Sequence, residues 1–236
     1  MATHDPMDLD VRSQAFYKDF YHFHKNSCDA WYIKDANHEI LDASLTFSSF
    51  FPHVSPTGTN MHRHVCSDSY LLYESEVIEN KNRIKLFTNG MFVDLNGNKT
   101  FIIELAFFRF SDVDCVIAFF RKPSDFFMQM DFLNFAFDIS DLERPVLNED
   151  LKGINPREVL TEREWEIIWL VFMGKPNRWI ADFLRCSRQN IEYTLSRAYN
   201  KLQVFSRSNL IINAMNYGWV NYIPYIFSEK EVIIRI

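Results

Sequence analysis

Glycine is scarce in this chain, with six among 236 residues. Active sites built on loops lean on glycine, and no phosphate-binding glycine loop, nucleophile-and-base motif or paired zinc signature accompanies the few that are present. An enzyme is not expected. Cysteine is equally thin: Cys28, Cys66, Cys115 and Cys186 are scattered, with no CxxC pair. In a reducing compartment such residues are small buried hydrophobes rather than disulfide partners. Long apolar runs are missing too, since the best candidates, "FIIELAFF" and "CVIAFF", fall well short of the ~18 residues of a spanning helix. The opening "MATHDPMDLDVR" is acidic and polar where a secretory signal needs a basic start and an apolar core. Together these absences predict a soluble, cytoplasmic protein that makes no use of a membrane.

What the chain does have is apolar mass and an uneven charge. Hydrophobic residues make up 47% of it. Its length exceeds the roughly 100 to 200 residues of one ordinary domain, so two modest cores are expected. Residues 1–149 hold 13 basic and 22 acidic side chains, whereas residues 150–236 hold 12 and 9. The N-terminal part is therefore at −9 and the C-terminal part at +3. Much of that positive charge lies in "NRWIADFLRCSRQNIEYTLSRAYNKLQVFSR", Asn177 to Arg207, with five Arg and one Lys against two acids. A solvated surface explains many charge runs, so the spacing has to decide.

The C-terminal part reads as four short helices. "LTEREWEIIWLVFMG" opens with Thr161 and Glu164 at capping-box spacing, carries Trp165, Ile168, Trp169 and Phe172 on one face, and stops at Gly174. Asn177 is the expected cap of a second helix with Ile180, Ala181 and Leu184 turned inward, and Ser187 the cap of a third. The third buries Ile191, Leu195, Ala198 and Leu202, leaving Arg188, Gln189, Glu192, Tyr193, Ser196 and Asn200 on or near its opposite face. A fourth begins near Ser206 and ends at Gly218. Two helices meeting at a tight turn, the second with a polar outer row, is the geometry that lays a recognition helix in the major groove of DNA.

"LTEREWEIIWLVFMGKPNRWIADFLRCSRQNIEYTLSRAYNKLQVFSRSNL" resembles the LuxR/FixJ, or GerE-type, helix-turn-helix domain from end to end. Leu160, Thr161, Arg163, Glu164, Gly174, Asn177, Ile180, Ala181, Leu184, Ser187, Lys201, Leu202, Val204, Ser206, Arg207 and Leu210 stand at the family's characteristic positions without a gap. The resemblance covers about a fifth of the chain and implies binding of duplex DNA by a dimer. By position, Arg188, Gln189, Glu192 and Tyr193 are the base-edge candidates, and Arg178, Asn190, Arg197, Lys201 and Arg207 the phosphate candidates. Two residues depart from the pattern. Arg185 stands in the turn where the family usually has Gly, at a small steric cost if that position is left-handed. Glu192 stands where many members have Lys; it repels phosphate but can accept from a cytosine amino group.

The N-terminal half is the expected input. "AWYIKDANHEILDASLTFSSFF" reads as strand, a turn centred on Asn37, strand and helix. "RIKLFTNGMFVDLNGNKTFIIELAFFRFSDVDCVIAFFRKP" reads as three strands broken at "NGN" and "SDVD". Two strands, short helices and three strands is a PAS-like order, and Tyr32 to Phe51 resembles the opening of that domain. A phosphoreceiver is set aside because the strand-rich run from Ile84 to Phe120 contradicts a five-fold α/β alternation. An acyl-homoserine-lactone domain lacks its Trp, Tyr, Asp and Trp constellation here and stays a minor alternative. All seven His lie in the first 64 residues, and "MHRHVC" places His62, His64 and Cys66 two apart with His53 nearby. Zinc sites show two separated ligand pairs, so no metal is assigned. Trp31, Phe47, Phe87, Phe101 and Phe107 are the candidates for lining a ligand pocket, with no cofactor specified.

The expected architecture is α+β, a PAS-like antiparallel sheet with flanking helices joined to an all-α four-helix domain. Residues 1–25 are expected to form an amphipathic dimerising helix through Val11, Ala15, Phe16, Phe20 and Phe23, and 26–123 the PAS-like domain. A connector follows over 124–158, its joint near Glu143 to Glu158. The helix-turn-helix domain takes 159–218, and 219–236 is an extension whose apolar residues are expected to pack on the N-terminal domain. The expected function is a dimeric, DNA-binding transcriptional regulator whose partners are double-stranded DNA, RNA polymerase and a small-molecule effector. The alternative is an interaction or adaptor protein that kept the helix-turn-helix fold and lost strong DNA binding.

Overall fold

A computed structural model describes residues 29–52, 68–97, 99–110, 113–123 and 148–236. The expected N-terminal helix, the group His53, His62, His64 and Cys66, and most of the connector lie outside the described residues. The chain divides into two units, one holding Met1–Arg121 with Val232–Arg235 and the other Lys122–Glu231 with Ile236.

The first unit is an antiparallel sheet with helices between its second and third strands. Its strands are β1 (Ala30–Asp35), β2 (Ile40–Ala43), β3 (Arg83–Asn89), β4 (Thr100–Phe110), β5 (Val113–Arg121) and β6 (Val232–Arg235), in the order β2-β1-β5-β4-β3-β6. Helices α1 (Leu45–Phe50) and α2 (Asp68–Asn80) lie between β2 and β3 in sequence. The first five strands and their helices follow the PAS-like order. The β1–β2 hairpin is closed by Asp35, whose carboxylate accepts from the amides of Asn37 and Glu39, while His38 takes the left-handed φ of 62°. Ser44 starts α1 by accepting from the Phe47 amide at 3.0 Å and also from the Trp31 amide of β1 at 3.0 Å.

Both faces of the sheet are buried, which is why its central strands read as apolar runs rather than as alternation. On one face Tyr32, Phe47, Phe51, Phe92, Phe101 and Phe120 form an aromatic core, with Phe120 5.0 to 6.0 Å from the other five rings. Trp31, Ile33, Cys115 and Ile117 cluster on the other face. A polar group sits inside the aromatic face. Lys34 and Glu74 are fully buried, with Lys34 Nζ 2.9 and 3.0 Å from the Glu74 carboxylate oxygens. Tyr32 donates its hydroxyl to the same carboxylate and lies 2.8 Å from the Tyr70 hydroxyl, and His38 Nδ1 is 3.0 Å from Glu74 Oε2. Burial pushes the Glu74 carboxyl up, but the Lys34 charge and the hydrogen bonds of His38, Tyr32 and Lys34 outweigh it and hold it below its ordinary value.

The second unit is helical: α3 (Pro156–Val159), α4 (Glu162–Phe172), α5 (Asn177–Phe183), α6 (Arg188–Leu202), α7 (Arg207–Asn216) and α8 (Tyr225–Ser228), with short 3₁₀ turns at Glu149–Leu151 and Trp219–Asn221. The capping box of α4 is present, with Thr161 accepting from the Glu164 amide and the Glu164 carboxylate accepting from the Thr161 amide. Gly174, at φ 73°, ends that helix as expected. The single buried face expected of α4 is too narrow, because Ile167, Leu170 and Val171 are buried along with Trp165, Ile168, Trp169 and Phe172. It is the central helix of its domain, packed nearly all round. The cap expected at Asn177 is also corrected. Pro176, at φ −72° and ψ 153°, precedes α5 with no side-chain cap bond, and Asn177 is the first helical residue.

The extension past Gly218 divides between the units. Trp165 Nε1 donates to the Tyr222 carbonyl at 2.8 Å, and the Tyr225 amide donates to Glu162 at 2.9 Å. Phe227 stacks on Trp169 and Phe183, with centroids at 4.8 and 5.9 Å, so α8 belongs to the helical domain. Only β6 joins the N-terminal sheet, where Ile234 is buried.

Candidate nucleic-acid interface

Helices α5 and α6 are joined by the four residues Leu184–Ser187. The turn closes with the Cys186 amide bonded to the Ala181 carbonyl at 2.9 Å, and Arg185 adopts φ 51°. The residue that replaces the family's usual Gly therefore does occupy a left-handed position. Ser187 caps α6 by accepting from the Asn190 amide at 3.1 Å. Ile191, Leu195, Ala198 and Leu202 are buried at helical spacing, which fixes the rotation of α6 about its axis. Each buried Leu or Ile stabilises that rotation by about 1.5 to 3 kcal/mol.

The same rotation sends the base-edge candidates outward. Arg188, Gln189, Glu192 and Tyr193 are all exposed on the first two turns of α6, Tyr193 at 65%. Arg188 Nε donates to Glu192 Oε1 at 2.7 Å, one helical turn on. Glu192 thereby orders the guanidinium, and a base contact by either must compete with that pair. Arg197 lies 5.9 Å from the Tyr193 ring centroid.

The phosphate candidates separate into two groups. Arg178, Asn190, Arg197 and Lys201 are exposed. Of these, Lys201 places Nζ 2.6 Å from Glu164 Oε2, and Arg197 lies 3.6 Å from Glu164 Oε1. Burial pushes the Glu164 carboxyl up, but hydrogen bonds from Lys201 and Thr161 and the Lys201 charge prevail and lower it. Arg207 is the one turned inward, half-buried and donating to the carbonyls of Val171 and Lys175 at 3.3 and 2.8 Å. Lys201 and Arg207 thus have structural partners that their charge and position in the sequence do not reveal. Burial pushes the Arg207 guanidinium down and the Tyr199 hydroxyl up from their ordinary values.

Beside α6 runs a groove of about 540 Å³ lined by Asn177, Glu192, Ser196, Tyr199, Asn200, Phe205 and Arg207, among others. Tyr199 and Phe205 were not singled out from the sequence. Phe205 is 89% exposed, and an apolar residue between two helices carries no sequence signal of exposure. The five pocket candidates of the N-terminal unit do not assemble. Phe47, Phe101 and Phe107 pack on the aromatic face, whereas Trp31 is on the opposite face, and Phe87 pairs with Ile102 and Ile234 outside both clusters. The two-residue period of a strand separates them, and aromatic composition does not report which face a residue takes. Among the described residues no group of three or more His, Cys, Asp or Glu could hold a metal ion. None of their helices is long and apolar enough to cross a membrane.

A short helix, a left-handed tight turn and a longer helix with an exposed polar row define a helix-turn-helix domain. Residues 158–214 match the family of bacterial regulatory proteins, luxR family, so the C-terminal domain is of the LuxR type. Over 62 residues the chain is 42% identical to the transcriptional regulatory protein ComA of Bacillus subtilis, covering 26% of this chain and 29% of that one. Over 59 residues it is 42% identical to the uncharacterized response regulatory protein YgeK of Escherichia coli, covering 25% and 40%. The chain thus spans under half the length of these curated relatives. Similarity of fold extends much further. The phage VqmA–DPO complex covers 94% of this chain and 97% of its own at TM-score 0.54 and 20% identity. The Vibrio cholerae VqmA dimer covers 93% and 96% at TM-score 0.55 and 16% identity. At such identities the likeness establishes the fold, a PAS-like sheet followed by a LuxR-type domain.

Proposed function

We propose that this chain is a dimeric DNA-binding transcriptional regulator whose N-terminal domain controls how its LuxR-type domain engages DNA. The observation that carries the reading is the exposed row Arg188, Gln189, Glu192 and Tyr193 on a helix whose opposite face is locked into the core. In the major groove Arg188 would donate to guanine, Gln189 would pair with adenine, Glu192 would accept from cytosine and Tyr193 would meet a thymine methyl. Arg178 and Asn190 would hold the flanking phosphates. The acidic remainder of the chain limits adhesion to nucleic acid elsewhere. A cytoplasmic location, RNA polymerase as the partner and a small molecule acting on the N-terminal domain complete the proposal. The VqmA–DPO complex supports the small-molecule part of this reading, as a chain of similar fold with DPO bound. The Arg188–Glu192 pair, the Lys201–Glu164 pair and the inward Arg207 favour modest affinity, which keeps the adaptor as the second reading.

The test is selection of bound duplexes from a random pool with the purified full chain, followed by footprinting. A recovered consensus protected over two half-sites about one helical turn apart is the expected result. Absence of any enriched sequence at low salt, from folded protein, would favour the adaptor.

A further inference from the structure

The PAS-like sheet is complete at five strands, yet the edge of β3 carries a sixth. Strand β6 pairs antiparallel with β3, with Asn89 opposite Val232, Thr88 opposite Ile233, Phe87 opposite Ile234 and Leu86 opposite Arg235. Three kinds of contact hold it. The ladder satisfies backbone groups of an otherwise open edge. Ile234 is 1% exposed, and Ile233 packs against the aromatic core. Arg235 Nη1 lies 2.7 Å from Glu76 Oε1 of α2, two residues beyond the buried Glu74.

The path of the chain makes this contact consequential. It leaves the first unit after Arg121, runs through the whole helix-turn-helix domain, and re-enters the first unit at Val232. In sequence, 26 residues, 122–147, separate Arg121 from Asn148. The return has only Glu229–Glu231 between α8 and β6. Three residues and their flanking bonds reach at most about 14 Å when fully extended. Helix α8 is itself fastened to its domain by Phe227 and by the Tyr225–Glu162 bond.

We propose that the edge of β3 is a docking site for the chain's own C-terminal strand, and that the docked strand is a second, short tether restraining the DNA-binding domain. Its four-residue length leaves it releasable. By linkage, whatever shifts α2 or the β3 edge changes docking, and release of β6 changes the freedom of the DNA-binding domain. The effect on DNA rests on the function proposed above. A restrained pair of DNA-binding domains keeps a high effective concentration at the second half-site, so the tether matters for two half-sites and not for one.

The test compares the full chain with a chain ending at Glu231 and with Arg235→Glu, which reverses only the ion pair. Hydrogen exchange first reads the amides of Leu86–Asn89 that face β6, expected to be protected in the full chain and exposed in the truncated one. Backbone ¹⁵N relaxation then reads tumbling without DNA. The units are expected to share one correlation time in the full chain and to separate on truncation, with Arg235→Glu between. On selected DNA, truncation is expected to weaken two-half-site binding about tenfold and leave single-half-site binding unchanged. Unprotected β3 amides in the full chain would overturn docking, and unchanged tumbling on truncation would overturn the tether. A dimer that becomes monomeric on truncation would show the strand exchanged between two copies, against docking within one. If the full chain binds no DNA, the regulatory reading fails while exchange and relaxation still decide the tether.

Discussion

Arg185 and Glu164 each carry a local cost that their surroundings explain. A left-handed conformation brings Cβ of an ordinary residue close to its own carbonyl, at about 1 to 2 kcal/mol, and Arg185 sits there at φ 51° because the turn between α5 and α6 demands it. Arg185→Gly should therefore raise stability, by less than that strain because glycine gains more freedom when unfolded. Urea melts should show a midpoint higher by the equivalent of about 0.5 to 1 kcal/mol, and an unchanged or lower midpoint would mean the guanidinium has a stabilising contact. Glu164 is nearly buried, with a side chain 3% exposed, yet it stays ionised because Lys201 and Thr161 stabilise its charged form. Its folded pKa lies below its unfolded value. The stability it adds is therefore fully present above the ordinary 4.5 and lost as pH falls through the depressed folded value. Glu164→Gln should flatten that part of the acid limb in pH-dependent melts. A limb of unchanged steepness would mean that Lys201 is not paired in solution.

At the scale of the element, α6 divides its work by face, and substitutions should divide likewise. Leu195→Ala should cost about 2 to 5 kcal/mol of stability and reduce DNA binding only through unfolding. Arg188→Ala or Gln189→Ala should leave melting unchanged, cost about 1 to 3 kcal/mol on the selected duplex and relax preference at particular base pairs. Arg178→Ala should weaken all duplexes alike and lower the salt slope by about one unit. Lys201→Ala should lower stability more than Arg178→Ala does, since it takes a charged hydrogen-bond partner from the buried Glu164 carboxylate. If Lys201→Ala instead matched Arg178→Ala, with an intact melt, the pairing of Lys201 with Glu164 would be wrong. The helices, caps and rotation of this element were legible because period and capping are local properties of sequence. The pairings of Lys201 and Arg207 were not, since their partners Glu164, Val171 and Lys175 stand 32 to 37 residues away. The same limit hid the sixth strand. Its "VIIR" could be read as apolar, but an edge 143 residues earlier has to be free to receive it.

The whole molecule joins a LuxR-type helical domain to a six-stranded sheet. Within the helical unit, the Asn148 amide donates to Asn213 Oδ1 at 2.8 Å and Asn148 Nδ2 donates to the Leu202 carbonyl at 3.1 Å. The domain thus closes on its own N-terminal segment, and α8 closes it at the other end. A fragment Asn148–Glu231 keeps all of these contacts and leaves out the strand that belongs to the sheet. It should fold alone, with a cooperative thermal transition. It should also bind a single half-site as the full chain does, because the residues proposed to read DNA are all inside it. On two half-sites the full chain should win by on the order of 10²-fold, since pairing through the N-terminal half turns the second contact into an intramolecular one. Titrations of both proteins against one- and two-site duplexes at equal salt decide this. Equal affinity for the two-site duplex would locate the dimer contacts within the LuxR-type domain and remove the N-terminal half from the assembly of the reader.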